Sequence, residues 1–315
     1  MKKLTKFKTF ALLAFMALGF TSCNDDDDAP VVTPSTTITD LAVATPNLSI
    51  LVKALTKADL ANTLKGTGPF TVFAPTNQAF IDAGYTEAVV DALPASGVPA
   101  LKELLLNHVV SGAVQSTGLT NNTYIKTLGK GAASSTNTLS MYVEKDSEGV
   151  FLNGVSEVTT ANIIASNGVI HIVDAVIGLP TIVTHAAANP NFTQLVELLS
   201  AQGLVPTLSG TSGSPFTVFA PLNSSFDSAT LSLYGGLTSA QKTAVLTYHV
   251  VGGANVLSNA IPTTPITTLE TGTFTIAGTT ITDEQNRQTN IVLTDVQCSN
   301  GVIHAVNKVL LPAIP

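Results

Sequence analysis

The side chains best suited to acid–base or metal chemistry in this chain of 315 residues are five histidines: His108, His171, His185, His249 and His304. Four of them occur in two matched settings. His108-Val109-Val110 matches His249-Val250-Val251, and Gly168-Val169-Ile170-His171 matches Gly301-Val302-Ile303-His304. Two histidines brought together could serve as a general base or as metal ligands. Their neighbours argue for packing instead. His171 shares a strand face with Val169 and Val173, and His304 shares one with Val302 and Val306, the pattern of a hydrogen-bonded core residue. There is no H-x-H or H-E-x-x-H pattern, no cysteine pair, and no close carboxylate cluster beyond residue 36. No metal and no cofactor is therefore expected. A G-x-S-x-G elbow is absent too, and the glycine-rich pieces at 66–68 and 209–214 lack the lysine of a phosphate loop. These residues point away from an enzyme; a hydrolase would have to use His108 or His249.

The two cysteines, Cys23 and Cys298, make no disulfide framework. Lys2, Lys3, Lys6 and Lys8 precede an apolar run from Phe10 to Phe20, too short for the roughly 20 residues of a membrane-spanning helix. The run ends in Thr21-Ser22-Cys23, which resembles a bacterial lipobox, so Cys23 is expected to be lipidated after removal of residues 1–22. Asp25 to Asp28 follow, resembling the export signals of Bacteroidota surface lipoproteins, and residues 23–36 read as an acidic, Pro/Thr-rich tether. The expected location is the outer membrane or cell surface, held by the lipid alone. Cys298 reads as a small buried hydrophobe.

Lys and Arg number 14 against 21 Asp and Glu; without the four leader lysines, 10 remain, giving −11. An acidic chain without basic clusters excludes nucleic acid as a partner. Apolar residues reach 45% and charged residues only 11%, enough to build real cores.

The elements that must hold the histidines come in two copies. Pro69-Phe70-Thr71-Val72-Phe73-Ala74-Pro75 recurs 146 positions later as Pro215 to Pro221. Both faces of this stretch are largely apolar, the mark of a central strand covered on two sides. Asn77 and Asn223 follow and could cap a short helix, together with Thr76 in the first copy. Ahead of each copy lies an amphipathic helix, beginning near Pro46 and Pro190. After it comes a helix that runs into each His-Val-Val; Thr238 and Gln241 have capping-box spacing in the second. Asn167-Gly168 and Asn300-Gly301 sit between β runs, where an Asn-Gly hairpin turn would place both residues at positive φ. The order implies α+β units, residues 37–180 and 181–315, joined at Thr181 to Ala188 with almost no linker.

These motifs resemble the fasciclin (FAS1) domain family. Thr71 to Phe80 fits its T-V-F-A-P-[TS]-[ND]-x-A-F segment completely; Thr217 to Phe226 departs at Leu222 and Ser225. The helix-to-strand histidines, His108 and His249, fit its second motif. The resemblance spans residues 36–315 and marks Phe70, Phe73, Asn77, Phe216, Phe219 and Asn223 as structural. It implies a wedge-shaped β-sandwich flanked by short helices in each unit, and an adhesive or matrix-binding role. In animal members a Tyr-His pair in the second motif is implicated in receptor binding. Tyr248-His249 matches it, against Asn107-His108 in the first copy, and is the candidate partner site, although the preferred reading of Tyr248 is packing of its amphipathic ring at the helix–strand corner. The expected partner is a protein or polysaccharide at the cell surface. Glycan or small-ligand binding for uptake is the alternative.

Overall fold

The structure is a computed structural model and describes residues 35–313. The leader, Cys23 and the acidic run lie outside the described residues. The described residues form one compact unit built from two copies of the same arrangement. Thr36, assigned to the tether from sequence, is already tied in: its carbonyl accepts the amide of Ser166.

The first copy contains β1 (Phe70–Pro75), β2 (Val109–Ser111), β3 (Thr123–Lys126), β4 (Ser140–Lys145), β5 (Val150–Leu152), β6 (Ser156–Ala165) and β7 (Gly168–Val173). They form one sheet in the order β2-β1-β7-β6-β5-β4-β3, with β1 and β7 parallel and every other pair antiparallel. β6 pairs with β5 at Ser156 and Glu157 and with β7 from Val158 on, and two register shifts between Val158 and Ile163 interrupt the pairing with β7. Such bulges bend a sheet. Here the sheet folds over until its two edge strands approach at a bridge between Val110 and Thr127, giving a sandwich. The second copy repeats the plan. Its strands are β8 (Phe216–Pro221), β9 (Val250–Val251), β10 (Ile266–Thr267), β11 (Thr273–Ala277), β12 (Thr280–Thr282), β13 (Gln288–Cys298) and β14 (Gly301–Val306), ordered β10-β11-β12-β13-β14-β8-β9. The Leu269 amide donates to Val250 O at 2.7 Å and closes its edges in the same way.

The repeated heptapeptide is the central strand that its composition implies. Val72 and Ala74 join the core beneath the helices, while Phe73 points into the sandwich with Met141, Val143 and Leu152. Val218 and Ala220 divide from Phe219 in the same way. One strand thus serves two apolar cores, and its one polar side chain in each copy, Thr71 or Thr217, is buried with its hydroxyl donating to the carbonyl of Gly112 or Ala254. Cys298 is fully buried among the apolar residues of the second helical core, and burial pushes its thiol well above the usual range.

Three local expectations are corrected. Asn77 and Asn223 do not cap the following helix. Thr76 does that, accepting the Ala79 amide at the start of Asn77–Asp82. Asn77 reaches back instead: its Oδ1 accepts the Ile50 amide at 2.9 Å, and its Nδ2 donates to Pro46 O and Ser49 Oγ. Asn223 does the same with Gln194, Pro190 and Thr193. Where Thr76 is replaced by Leu222 there is no side-chain cap, and only a 3-10 turn forms over Asn223–Ser225.

The Asn-Gly steps are not turns with two residues at positive φ. Ala165 pairs with Gly168 across the loop, and neither Ser166 nor Asn167 has positive φ. Glycine is needed for a different reason. A Cβ at Gly168 or Gly301 would overlap the carbonyl oxygen of Phe70 or Phe216 on the parallel neighbour. The joint at Thr181 to Ala188 is itself a helix, Ile182–Ala188, capped by Thr181 and Thr184 as Ile38–Ala44 is capped by Thr37 and Asp40.

Candidate functional site

The four repeated histidines do not assemble into a site. Each bridges two backbone segments. His108 Nδ1 donates to Leu104 O at 2.8 Å, and its Nε2 accepts the Ile177 amide at 2.9 Å. His249 repeats this with Val245 O at 2.7 Å and the Leu310 amide at 2.9 Å. Both rings thereby tie the end of a helix to the segment that follows the last strand of their copy. His171 and His304 use Nε2 for Val114 O and Val256 O, while Nδ1 faces the amides of Asn162 and Asp295. They also stack on Phe73 and Phe219, respectively. A ring with one nitrogen donating to a carbonyl and the other accepting from an amide must be neutral. Burial lowers all four, His108 and His249 to about 4. Their lone pairs are committed to amides, so none is free to take a substrate proton or bind a metal. Among the described residues no group of three or more His, Cys, Asp or Glu side chains is placed to hold a metal ion.

The Tyr248–His249 corner, expected to face a partner, faces inward. Tyr248 is 0% exposed and His249 3%. The Tyr248 hydroxyl donates to Thr273 O at 2.7 Å and accepts the Glu284 amide at 3.2 Å. Its ring packs edge-on against Phe274, and burial raises its pKa. The physical reason is geometric. The residue after the helix must cross under the folded-over strands, so its polar end has to find backbone partners there, as the Tyr248 hydroxyl does. Asn107 takes this place in the first copy, with its Nδ2 on Ile177 O and Gly178 O. The other motif residues, Phe70, Phe73, Phe216, Phe219, Asn77 and Asn223, sit in the cores or staple helices as described above.

The arrangement that sequence reading missed lies where the copies meet. Ser140 on β4 accepts the amide of Gln297 on β13 at 3.0 Å. Lys126 Nζ donates to Ser140 Oγ at 3.0 Å and to the Asp295 carbonyl at 2.8 Å. Asn189 Nδ2 donates to the Tyr124 hydroxyl at 3.0 Å, and the amides of Ala132 and Ala133 converge on Ser299 O. His185 is enclosed here, 0% exposed and edge-on to Tyr124, with their ring centroids 5.4 Å apart. The carbonyls of Ser140 and Gln297 approach its ring without forming a well-made hydrogen bond, and burial pulls its pKa down to about 3. One signal could have revealed this. With the capping boxes aligned, His185 stands where the first copy has Leu41, so the repeat is broken on a buried helix face.

Beside this junction lies an open groove of about 680 Å³ whose walls come from both copies. Residues 122–126 of the first copy face Asn189, Asn191 and the bulge of β13 at Val292 to Val296. The groove's lining combines polar side chains such as Asn122, Asn191 and Thr294 with apolar ones such as Leu222 and Leu293.

The comparisons agree with this architecture. A family model described as Fasciclin domain matches residues 46–180 and again 190–312. Protein sll1483 of Synechocystis sp. is 34% identical over 143 residues, 45% of this chain and 72% of that protein. The fasciclin-like arabinogalactan protein elcF of Phaeosphaeria nodorum is 26% identical over 304 residues, 90% of each chain. Human periostin is 29% identical over 202 residues, 63% of this chain but only 22% of its own length. Among solved structures, a FAS1 domain pair from the insect cell adhesion molecule fasciclin I covers 85% of this chain and 97% of its own, with a TM-score of 0.50 and 17% identity, which speaks to the fold alone. With two matched segments that together span most of its length and both sheets in place, the chain belongs to the fasciclin domain family as a tandem pair.

Proposed function

We propose that this is a non-catalytic adhesion or matrix-contact protein of the cell surface, with heads at 37–180 and 181–315 held to the outer membrane by a lipid on Cys23. The observation that carries the non-catalytic part is the commitment of His108, His171, His249 and His304 to backbone partners on both ring nitrogens. The adhesive part rests on membership of the family, which includes a cell adhesion molecule. The anchor rests on Thr21-Ser22-Cys23 and the acidic run after it.

Two experiments test the reading. Protease treatment of intact cells should remove the heads; retention until lysis would sink the surface location. Cys23→Ala should release the protein from membranes, and a variant that stays membrane-bound would exclude the lipid as the anchor. The partner is taken to be a protein or polysaccharide of the envelope or its surroundings.

A further inference from the structure

We propose that the open edge of β6 in the first copy receives the second copy of another molecule of this same chain, head to tail, as β13 receives the first copy within the chain. The inference deepens the adhesive reading above by naming a partner, and its test needs no cells, so either can fail without the other. The receiving strands match. Ile163, Ile164 and Ala165 pair with Ile170, Val169 and Gly168 in the register in which Val296, Gln297 and Cys298 pair with Ile303, Val302 and Gly301. On β13 the first copy occupies three backbone groups: Ser140 Oγ accepts the Gln297 amide, Lys126 Nζ donates to Asp295 O, and the amides of Ala132 and Ala133 donate to Ser299 O. Their counterparts on the first copy, the Ile164 amide and the carbonyls of Asn162 and Ser166, meet no partner among the described residues.

The edge is built to be covered. β5 reaches only Ser156 and Glu157, so β6 is open from Val158 on. Val158 to Ala165 contain no charged residue and no proline, the usual protections of an exposed edge. Ile164 is 43% exposed, and beside it Leu41 is half-buried where the second copy encloses His185. The matching delivering face is in the second copy. Leu269 closes its sandwich on Val250 as Leu128 closes the first on Val109, which aligns Thr267 with Lys126 and Thr273 with Ser140. Ile266 and Phe274 fill the places of Ile125 and Met141 inside, so both threonines point outwards. Their hydroxyls have no partner among the described residues, and Thr273 Oγ1 is the group to accept the Ile164 amide as Ser140 Oγ accepts that of Gln297. The receiving residues Leu41, Thr45, Asn162, Ile164 and Ser166 are uncharged, so nothing there repels Glu270 and Glu284, whose carboxylates accept amides beside Thr273. The two faces share no hydrogen bond within the chain, so the second must come from another molecule. Thr267 is shorter than Lys126, and the loop from Thr268 to Gly272 lacks counterparts of Ala132 and Ala133, which makes the contact weaker than the one inside the chain.

The test is sedimentation equilibrium of the whole chain carrying Cys23→Ala, up to about 1 mM, the effective concentration that short tethers give. A heterologous contact does not stop at a pair, so species beyond the dimer should grow with concentration. Ile164→Glu and Thr267→Glu both change exposed positions and should leave the melting temperature unchanged. Each should weaken association about tenfold or more. Thr267→Lys restores the reach of Lys126 to the Asn162 carbonyl and should tighten it. Ile164→Glu and Thr267→Glu each keep one working face, so a mixture of the two should form one-to-one pairs and nothing larger, at concentrations where each alone is monomeric. A chain that is monomeric at about 1 mM overturns the proposal. So does association that is lost in Ile164→Glu but kept in Thr267→Glu, which would mark symmetric pairing of two β6 edges, and so does a mixture that does not pair. None of these outcomes touches the adhesive reading, which the protease treatment of intact cells tests separately.

Discussion

The amide of Asp295 points at Nδ1 of His304, 3.4 Å away, and its φ of 62° marks a left-handed bulge residue. Asn162 and His171 repeat the relationship at 3.3 Å, with φ 63°. In both copies the bulge residue's side chain then accepts the amide of a 3-10 turn, at Ser116 or Ser258. The histidine thus supplies the acceptor that the distorted strand has lost, and the bulge bends the sheet into a sandwich. A repeated histidine that looks catalytic in one dimension is a backbone acceptor in three.

Acid should unfold the protein through these rings. A histidine whose folded pKa lies below its unfolded value of 6.5 contributes stability that is complete above 6.5 and is lost as pH falls towards the folded value. For His108 and His249 that window runs from 6.5 to about 4, and for His185 to about 3. Each should add a slope of up to about 1.4 kcal/mol per pH unit within it. Urea midpoints measured from pH 7.5 to 4.5 should fall accordingly, and His249→Gln should remove one proton's worth of slope. A flat profile would mean that the rings are solvated.

Asn167→Ala and Asn300→Ala should each destabilise their copy by about 3 kcal/mol. Each amide accepts one helix N–H and donates to two carbonyls, Leu64 and Gly66 or Leu208 and Gly210, and truncation leaves all three unpaired. Chemical denaturation of each variant measures it. A loss below about 1 kcal/mol would show that water replaces the side chain.

Tyr248→Phe distinguishes packing from recognition. Removing the hydroxyl strands Thr273 O and the Glu284 amide and should lower stability by about 1–2 kcal/mol. Adhesion measured below the melting point should not change. Loss of adhesion at full stability would restore this corner as a partner site.

The copies should melt together. Tyr124 packs on the second copy's core, meets His185 edge-on and accepts from Asn189. Tyr124→Ala should remove about 2–4 kcal/mol and separate one calorimetric transition into two. A single transition retained in the variant would show that the remaining contacts suffice to couple the copies.

The sequence alone determined the repeat, the central strands, the helix caps at Thr238 and Gln241 and the absence of a metal-ligand pattern, because these depend on residues near one another in the chain. Phe73 against Val72 and Ala74 could be assigned to opposite faces from strand periodicity. Tertiary structure decided what those elements do to each other. Packing is the preferred sequence reading of Tyr248, but only the folded-over strands supply what covers the ring and what its hydroxyl meets, Thr273 O and the Glu284 amide. Ile164 and Gln297 occupy equivalent places in the two copies, yet the isoleucine is 43% exposed and the glutamine 0%. Only the first copy's docking on β13 explains that inversion: Gln297 is enclosed and donates to Asn255, Cys298 and Gly301, while Ile164 has no domain above it. The groove is legible in neither copy, since each contributes one wall and the space between exists only once Lys126 has met Asp295 across 169 residues of chain.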